Sequence, residues 1–499
     1  MRMKILVRIR RVTAIGVLLA TGAAPASALA AAPVAGGLSA SAVDHYVRDY
    51  IERTQLPGAL VAVTKGDQVV HAAGYGHTAG GETITKDTPM PLASISKSFT
   101  ALAVLRLADQ GTIDLDAPVQ KYLPEFTMAD QRAGKITVRQ LLHQTSGMSD
   151  QTFPELTLPA PDTLKDAVAM LRTAPLATAP GTRMMYHNPN YAVAARLVEV
   201  VAGVPFDDHM AATVFGPLGM TSTRTVNTTM DVPGAGEGYI RAYGQVIKRS
   251  HPKWFVNGSY GVVSTADDLT KWLITQNGAG HVFPQKTVKT AQTSSGVGGS
   301  TYGMGWTTGK TPGGAPQLRH TGWLLTHNSA QTVLPTGGYG IAVVTNTGMT
   351  SGDDAVLITD GLIDLIEGRP DAAAVPFTMT ADPWLAGLTL LNLGLGFVGV
   401  YRARRWARRT GHATWRLIVR LLPYALPVAL FAGLADLIGL LMGRVGTLDQ
   451  ITYIWLALYV WTGTAALAAA ATVISRLAHT VLSPAPSRDG SSPTSVRGG

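Results

Sequence analysis

Apolar and polar positions alternate in short periods up to about residue 370, then give way to long uncharged stretches. Residues 41–54 repeat their apolar positions at helical spacing. Residues 59–64 and 68–73 have the length and β-branched content of strands, and Lys65-Gly66-Asp67 between them predicts a hairpin turn. Residues 91–111, PLASISKSFTALAVLRLADQG, predict an amphipathic helix with Phe99, Leu102, Ala103, Leu105 and Leu107 on its apolar side and Gly111 as its stop. Residues 137–230 are rich in helix and loop signals. Strand-like runs return at 331–335 and 340–346, and a helix over 353–367 closes the region. Strands at both ends with a helical middle predict an α+β domain. Its antiparallel sheet is assembled from distant segments and flanked by helices, and it carries an all-helical subdomain.

The second part reads as membrane. After a linker at 372–383, apolar runs occupy 384–400, 421–443 and 451–474, so 384–474 is expected to form three transmembrane helices. Seven arginines between 402 and 420 separate the first two runs. Residues 1–30 have the parts of a signal peptide: basic Arg2, Lys4, Arg8, Arg10 and Arg11, an apolar core at 12–19, and Ala28-Leu29-Ala30 as the cleavage site. An uncleaved anchor is the rival reading, and either one exports residues 31–371. The arginine loop then lies in the cytoplasm, as charge asymmetry requires, the connection 444–450 lies outside, and the tail 475–499 is expected to be cytoplasmic and disordered. Asp436 falls inside the second run, where a carboxylate draws attention.

Charge supports this division. The net charge is +9, yet residues 31–380 hold 25 lysines and arginines against 28 acidic residues. The positive excess flanks apolar runs, so it is a topology signal, and no nucleic-acid partner is expected. The absence of cysteine excludes disulfides, thiolate metal sites and cysteine nucleophiles. The histidines lack the spacing of a helical zinc pair, so no metal or cofactor is expected.

Candidate chemistry centres on Ser94 and Lys97, which share a helix face. A hydroxyl beside an amine that can take its proton is the minimum kit for a covalent nucleophile. An N-cap followed by a solvated lysine is the plainer reading. Ser250-His-Pro-Lys253 has the same spacing, but Pro252 makes that copy a loop. Two more pieces lift the Ser94 pair: Tyr186-His187-Asn188, and His320-Thr321-Gly322 ahead of a strand. His143, Asp114 and Asp116 are taken as structural.

Serine, lysine, tyrosine and asparagine, then a polar-Thr-Gly strand, in this order, resemble the serine β-lactamase and penicillin-binding protein superfamily. The match is nearest its class C branch, which includes D,D-peptidases, D-aminopeptidases and esterases. The resemblance covers most of residues 40–368 and implies a β-lactamase/transpeptidase-like fold. It implies Ser94 as nucleophile, Lys97 as its base and Tyr186 as proton relay. Asn188, His320, Thr321, Gly322 and Trp323 would bind substrate, with the backbone N–H groups of Ser94 and Trp323 forming an oxyanion hole.

Two departures bear on the substrate. His320 stands where many β-lactamases have a lysine that meets a substrate carboxylate, and Trp323-Leu324-Leu325 makes the rim bulky and apolar. The expected activity is therefore an extracytoplasmic, membrane-anchored hydrolase of amides or esters, D,D-peptidase-like or esterase-like, with β-lactam hydrolysis a further option. Its substrate would be a β-lactam, a D-amino-acid peptide or an ester. The competing reading is a non-catalytic penicillin or peptidoglycan sensor that signals through its membrane helices.

Overall fold

The chain is described by a computed structural model over residues 37–348, 354–370, 373–410 and 414–481. The expected signal peptide, and the expected disordered tail beyond residue 481, lie outside the described residues.

The first helix, α1 (Ala40–Thr54), is capped by Ser39, whose hydroxyl accepts the Ala42 N–H. It leads into β1 (Gly58–Lys65) and β2 (Gln68–Gly76), the expected hairpin. Next come α2 (Ser96–Asp109) and α3 (Pro189–Ala202), then α4 (Ala266–Gln276). Four strands follow, β3 (Thr307–Lys310), β4 (Pro316–Trp323), β5 (Asn328–Leu334) and β6 (Tyr339–Thr345), and then α5 (Asp354–Ile366). The six strands form one sheet in the order β2-β1-β6-β5-β4-β3, and every pairing is antiparallel.

Both faces of this sheet are covered, which explains why β1 reads as a continuous apolar run rather than an alternating one. Ala59, Val61 and Val63 pack with Val43, Val47 and Tyr50 of α1 and Ile358 and Leu362 of α5. Leu60 and Ala62 face the other way, into the main core with Phe99 and Trp272. Those two rings stack with centroids 3.7 Å apart.

The structure revises the expected amphipathic helix. Ser94 lies in a 3₁₀ turn, Ala93–Ile95, that precedes α2, and α2 is buried around nearly its whole circumference. Polar residues on its first turn are therefore interior groups with interior partners. The twin at Ser250 is a loop, with Lys253 paired to Asp162 at 2.6 Å. Asp114 and Asp116 are structural, since Asp116 holds Arg139 through two hydrogen bonds of 2.7 and 2.8 Å.

Among the described residues beyond α5 lie three helices long and apolar enough to cross a membrane, at Phe377–Tyr401, Thr414–Ala432 and Leu456–Val481. The first, α6 (Phe377–Tyr401), takes in residues expected in the linker. The last absorbs residues 475–481 of the expected tail. The second apolar run is not one rod. It breaks at Pro423 and at Gly433, and its final piece, α7 (Leu434–Met442), shares a small cavity with Leu156, Trp254 and Trp323. Asp436 is exposed on that piece, past the end of the second candidate span. A short helix, α8 (Leu448–Ile454), then leads into α9 (Leu456–Val481).

Candidate active site

Local backbone geometry sets Ser94 apart. Ala93 adopts φ +49°, a left-handed conformation that a non-glycine residue rarely takes. The turn is pressed against β4 at Gly322. A Cβ there would fall 2.4 Å from the Leu92 carbonyl oxygen and 2.2 Å from Ser329 Oγ. Only glycine permits that approach. Ser329 Oγ in turn donates to the Leu92 carbonyl at 2.7 Å, tying β5 to the same turn.

Lys97 is fully buried, with 0% of its surface exposed. Its ammonium donates to Ser94 Oγ at 3.0 Å, to Asn188 Oδ1 at 2.9 Å and to the Ser259 carbonyl at 2.9 Å, which uses all three of its protons. Burial, followed by the nearby Arg444 guanidinium, holds this amine well below the ordinary lysine range, with Glu155 opposing. Asn188 is itself fixed. Its Nδ2 donates to Glu155 Oε1 at 2.8 Å, and Pro189 begins α3 directly after it.

The Tyr186 ring centre lies 4.9 Å from the Lys97 ammonium, on the same cavity wall as Ser94. Burial pushes the Tyr186 hydroxyl up to about 12, against the pull of Ser94 and Arg444. Tyr302 meets Tyr186 edge-on at 5.9 Å. His320, on β4, donates from Nδ1 to the Thr321 carbonyl at 2.7 Å, so in the neutral ring Nε2 is the acceptor facing the Tyr302 hydroxyl at 3.3 Å. Burial, and then Lys97, push His320 down to about 3, which leaves it uncharged. Thr321 is exposed on the cleft side, Gly322 supplies the close approach, and half-buried Trp323 ends β4 at the rim. All eight expected site residues thus fall around one turn, and Ser94, Tyr186, Asn188, His320, Thr321 and Trp323 line a common cavity of about 500 Å³.

Sequence reasoning missed several neighbours. Tyr260 and Tyr302 line the cavity, and Glu155 stands behind Asn188. A buried cluster joins Asp150, Glu155 and His187, whose ligating atoms lie within 4.8 Å of one another. These donors could hold a cation by type, but the protein already answers their charge. Glu155 accepts from Asn188 Nδ2, His187 Nε2 stands 3.1 Å from Glu155 Oε2, and Asp150 accepts the N–H of Val445. Burial and the adjacent Glu155 hold the Asp150 carboxyl above the usual range, whereas on Glu155 the effects of His187 and Arg444 outweigh burial. Arg444 also lines the main cavity. No spacing pattern could have announced a residue so far along the chain.

Residues 43–362 match the family model described as Beta-lactamase. Protein flp of Staphylococcus aureus (strain COL) is 27% identical over 315 residues, covering 61% of this chain and 62% of its own length. The chain thus spans less than two thirds of that relative. D-aminopeptidase of Brucella canis is 28% identical over 228 residues, 43% of this chain and 42% of its own. Among solved structures, the octameric penicillin-binding protein homologue from Pyrococcus abyssi aligns with a TM-score of 0.58 at 23% identity, over 70% of this chain and 82% of its own, a likeness of fold.

Proposed function

The chain belongs to the beta-lactamase family, and from that premise we propose that it is a serine hydrolase that cleaves an amide or ester bond through an acyl-enzyme on Ser94. The observation that carries this reading is the buried Lys97 ammonium, 3.0 Å from Ser94 Oγ and deprived of solvent. A lysine so placed gives up its proton readily, and its free electron pair can then take the proton of Ser94. Ser94 Oγ attacks the carbonyl carbon, and the negative charge collects on the carbonyl oxygen. The N–H groups of Ser94 and Trp323 are the proposed donors to that oxygen. As the tetrahedral intermediate collapses, Tyr186 passes a proton to the leaving nitrogen or oxygen, and the C–N or C–O bond breaks. Water then attacks the acyl carbon, giving its proton back through the same pair, and the acid leaves with Ser94 restored.

Asn188 is a positioning residue here, holding Lys97 from one side while Glu155 holds Asn188. A neutral His320 supports D,D-peptidase-like or esterase-like turnover over strong β-lactamase activity, because it offers no fixed charge to a β-lactam carboxylate. A non-catalytic sensor would not need a buried lysine, its serine and an adjacent tyrosine together. The seven arginines between 402 and 420 support a topology with that segment at the cytoplasmic side and the catalytic half and residues 444–450 outside.

The test is labelling with a fluorophosphonate and a fluorescent penicillin, alongside turnover of p-nitrophenyl esters. Ser94→Ala should abolish label and turnover. Lys97→Ala and Tyr186→Phe should each cut turnover by about 10²–10⁴-fold. Label and turnover that persist without Ser94 would sink the reading.

A further inference from the structure

The membrane part of the chain reaches into the catalytic cavity. Helix α7 ends at Gly443, which adopts φ +66°, and the Arg444 N–H returns to the Gly439 carbonyl at 2.8 Å. A Cβ on Gly439 would lie 2.3 Å from the Arg444 carbonyl oxygen, so glycine is required for so tight a reversal. Three residues later a capping box between Thr447 and Gln450 starts α8. The segment between is seated on the catalytic half at two points. The Val445 N–H donates to Asp150, and Gln450 Nε2 donates to the Leu156 carbonyl at 2.9 Å. Directly before the first of these anchors stands Arg444, whose guanidinium carbon lies 5.6 Å from the centre of the Tyr186 ring.

Among the described residues that line the cavity, this guanidinium is the cation least closely paired with a carboxylate. Lys97 spends its protons on Ser94, Asn188 and Ser259, and His320 is neutral. Arg319 also borders the cavity, and its Nε and Nη2 lack hydrogen bonds, but Nη2 lies 2.7 Å from Asp360 Oδ1, a closer ion pair than Arg444 makes. Arg444 has a carboxylate nearby, Glu155, yet Nη1 stands 3.5 Å from Glu155 Oε1, which already accepts from Asn188, and Nη1 makes no hydrogen bond within the protein. Nη1 is enclosed beside Glu155, but the side chain as a whole lines the cavity, and the planar fork of a guanidinium is matched to an anion that can accept two bonds.

We propose that Arg444 binds a carboxylate on the substrate, so that the active site is completed by the membrane segment and selects acids over their neutral counterparts. The proposal rests on the serine-hydrolase reading of Ser94. It assigns to the connection between α7 and α8 the charge that His320 does not supply, and it makes Arg444 a specificity residue beside the reacting bond.

The experiment uses the full chain in detergent micelles and two pairs of probes. N-acetyl-D-alanyl-D-alanine and its C-terminal carboxamide place or remove a carboxylate on the leaving side. The p-nitrophenyl monoester of succinic acid and its methyl-capped diester do so on the acyl side. The measured quantity is the ratio of kcat/KM, acid over neutral, within each variant, which cancels general damage. Wild type should favour the acid by at least about tenfold in one pair. Arg444→Ala should bring that ratio to near one, and Arg444→Lys should restore part of it, because a point charge replaces a fork. A wild-type ratio near one in both pairs, or a preference that survives Arg444→Ala, would overturn the proposal and leave Arg444 as a docking latch. Fluorophosphonate labelling reads the premise separately: without Ser94-dependent label, the hydrolase reading falls and this one with it.

Discussion

At the scale of single residues, the decisive fact is the sign of the potential around Lys97. The amine is flanked by Tyr186, Tyr191 and Tyr260 at 4.9, 5.8 and 5.6 Å and by Asn188, the Ser259 carbonyl and neutral His320, with Arg444 and Glu155 as the neighbouring charges. Burial and Arg444 disfavour its protonated form, and Glu155 favours it. Turnover needs the free amine, so activity should rise with pH through a midpoint below the ordinary lysine range. Removing a cation raises that midpoint, and removing an anion lowers it. Arg444→Ala should therefore move the acid limb of kcat/KM to higher pH, and Glu155→Gln should move it to lower pH. A pH–rate profile on a neutral p-nitrophenyl ester reads both, and shifts of the same sign in the two variants would contradict the assignment. His320, held near 3, should add no inflection of its own in the neutral range.

At the scale of elements, the site depends on how closely β4 can approach the Ser94 turn. Gly322→Ala would set a Cβ 2.2 Å from Ser329 Oγ and 2.4 Å from the Leu92 carbonyl, so strand and turn must part. The expected cost is about 1–3 kcal/mol of stability, together with a loss of at least tenfold in the labelling rate of Ser94. Thermal melts and labelling kinetics measure the two, and an unchanged labelling rate would show that the approach is not needed. The same elements mark what the residues themselves disclose. The hairpin of β1 and β2, the late strands β5 and β6 and the Ser94-Lys97 pair are legible because period, turn chemistry and order along the chain all act locally or in sequence. The hairpin of Gly238–Ala242 and Gln245–Arg249 escaped notice because its second strand is largely polar and solvent-facing. The break in the second apolar run escaped too. Gly433 within a hydrophobic stretch does not reveal whether the helix continues, and the outcome is set by docking against distant side chains. Arg444 follows from that break, which is why charge and hydropathy recorded it only as part of a connection.

At the scale of the whole molecule, the beta-lactamase domain and the long apolar C-terminal helices share an interior. Tyr453, Ile454 and Leu456 pack with Leu156, Trp254 and Trp323, so the rim of the cleft and the approach to α9 belong to one apolar cluster. The Tyr453 hydroxyl donates to the Ser250 carbonyl at 2.8 Å, and Arg249 covers the Tyr453 ring at 4.1 Å. Asp382, buried on α6, joins the halves a second time. It accepts the Tyr243 N–H at 2.7 Å and the Trp455 indole N–H at 2.8 Å. The unexpected hairpin thus serves as the seat for the long apolar helices. Asp382→Ala would leave two donors without an acceptor, at a cost of about 1–3 kcal/mol borne by the docking rather than by either core. Hydrogen exchange should then rise in residues 238–249 and in the Arg444 connection together, while the central strands β5 and β6 stay protected. Because the Arg444 connection, with its own anchors at Asp150 and Leu156, is seated by the same packing of the two parts, the preference for acids should fall in this variant while Ser94 keeps its label from a small neutral fluorophosphonate. Faster exchange confined to α6, with the acid preference intact, would mean that the catalytic half holds Arg444 without help from the helices.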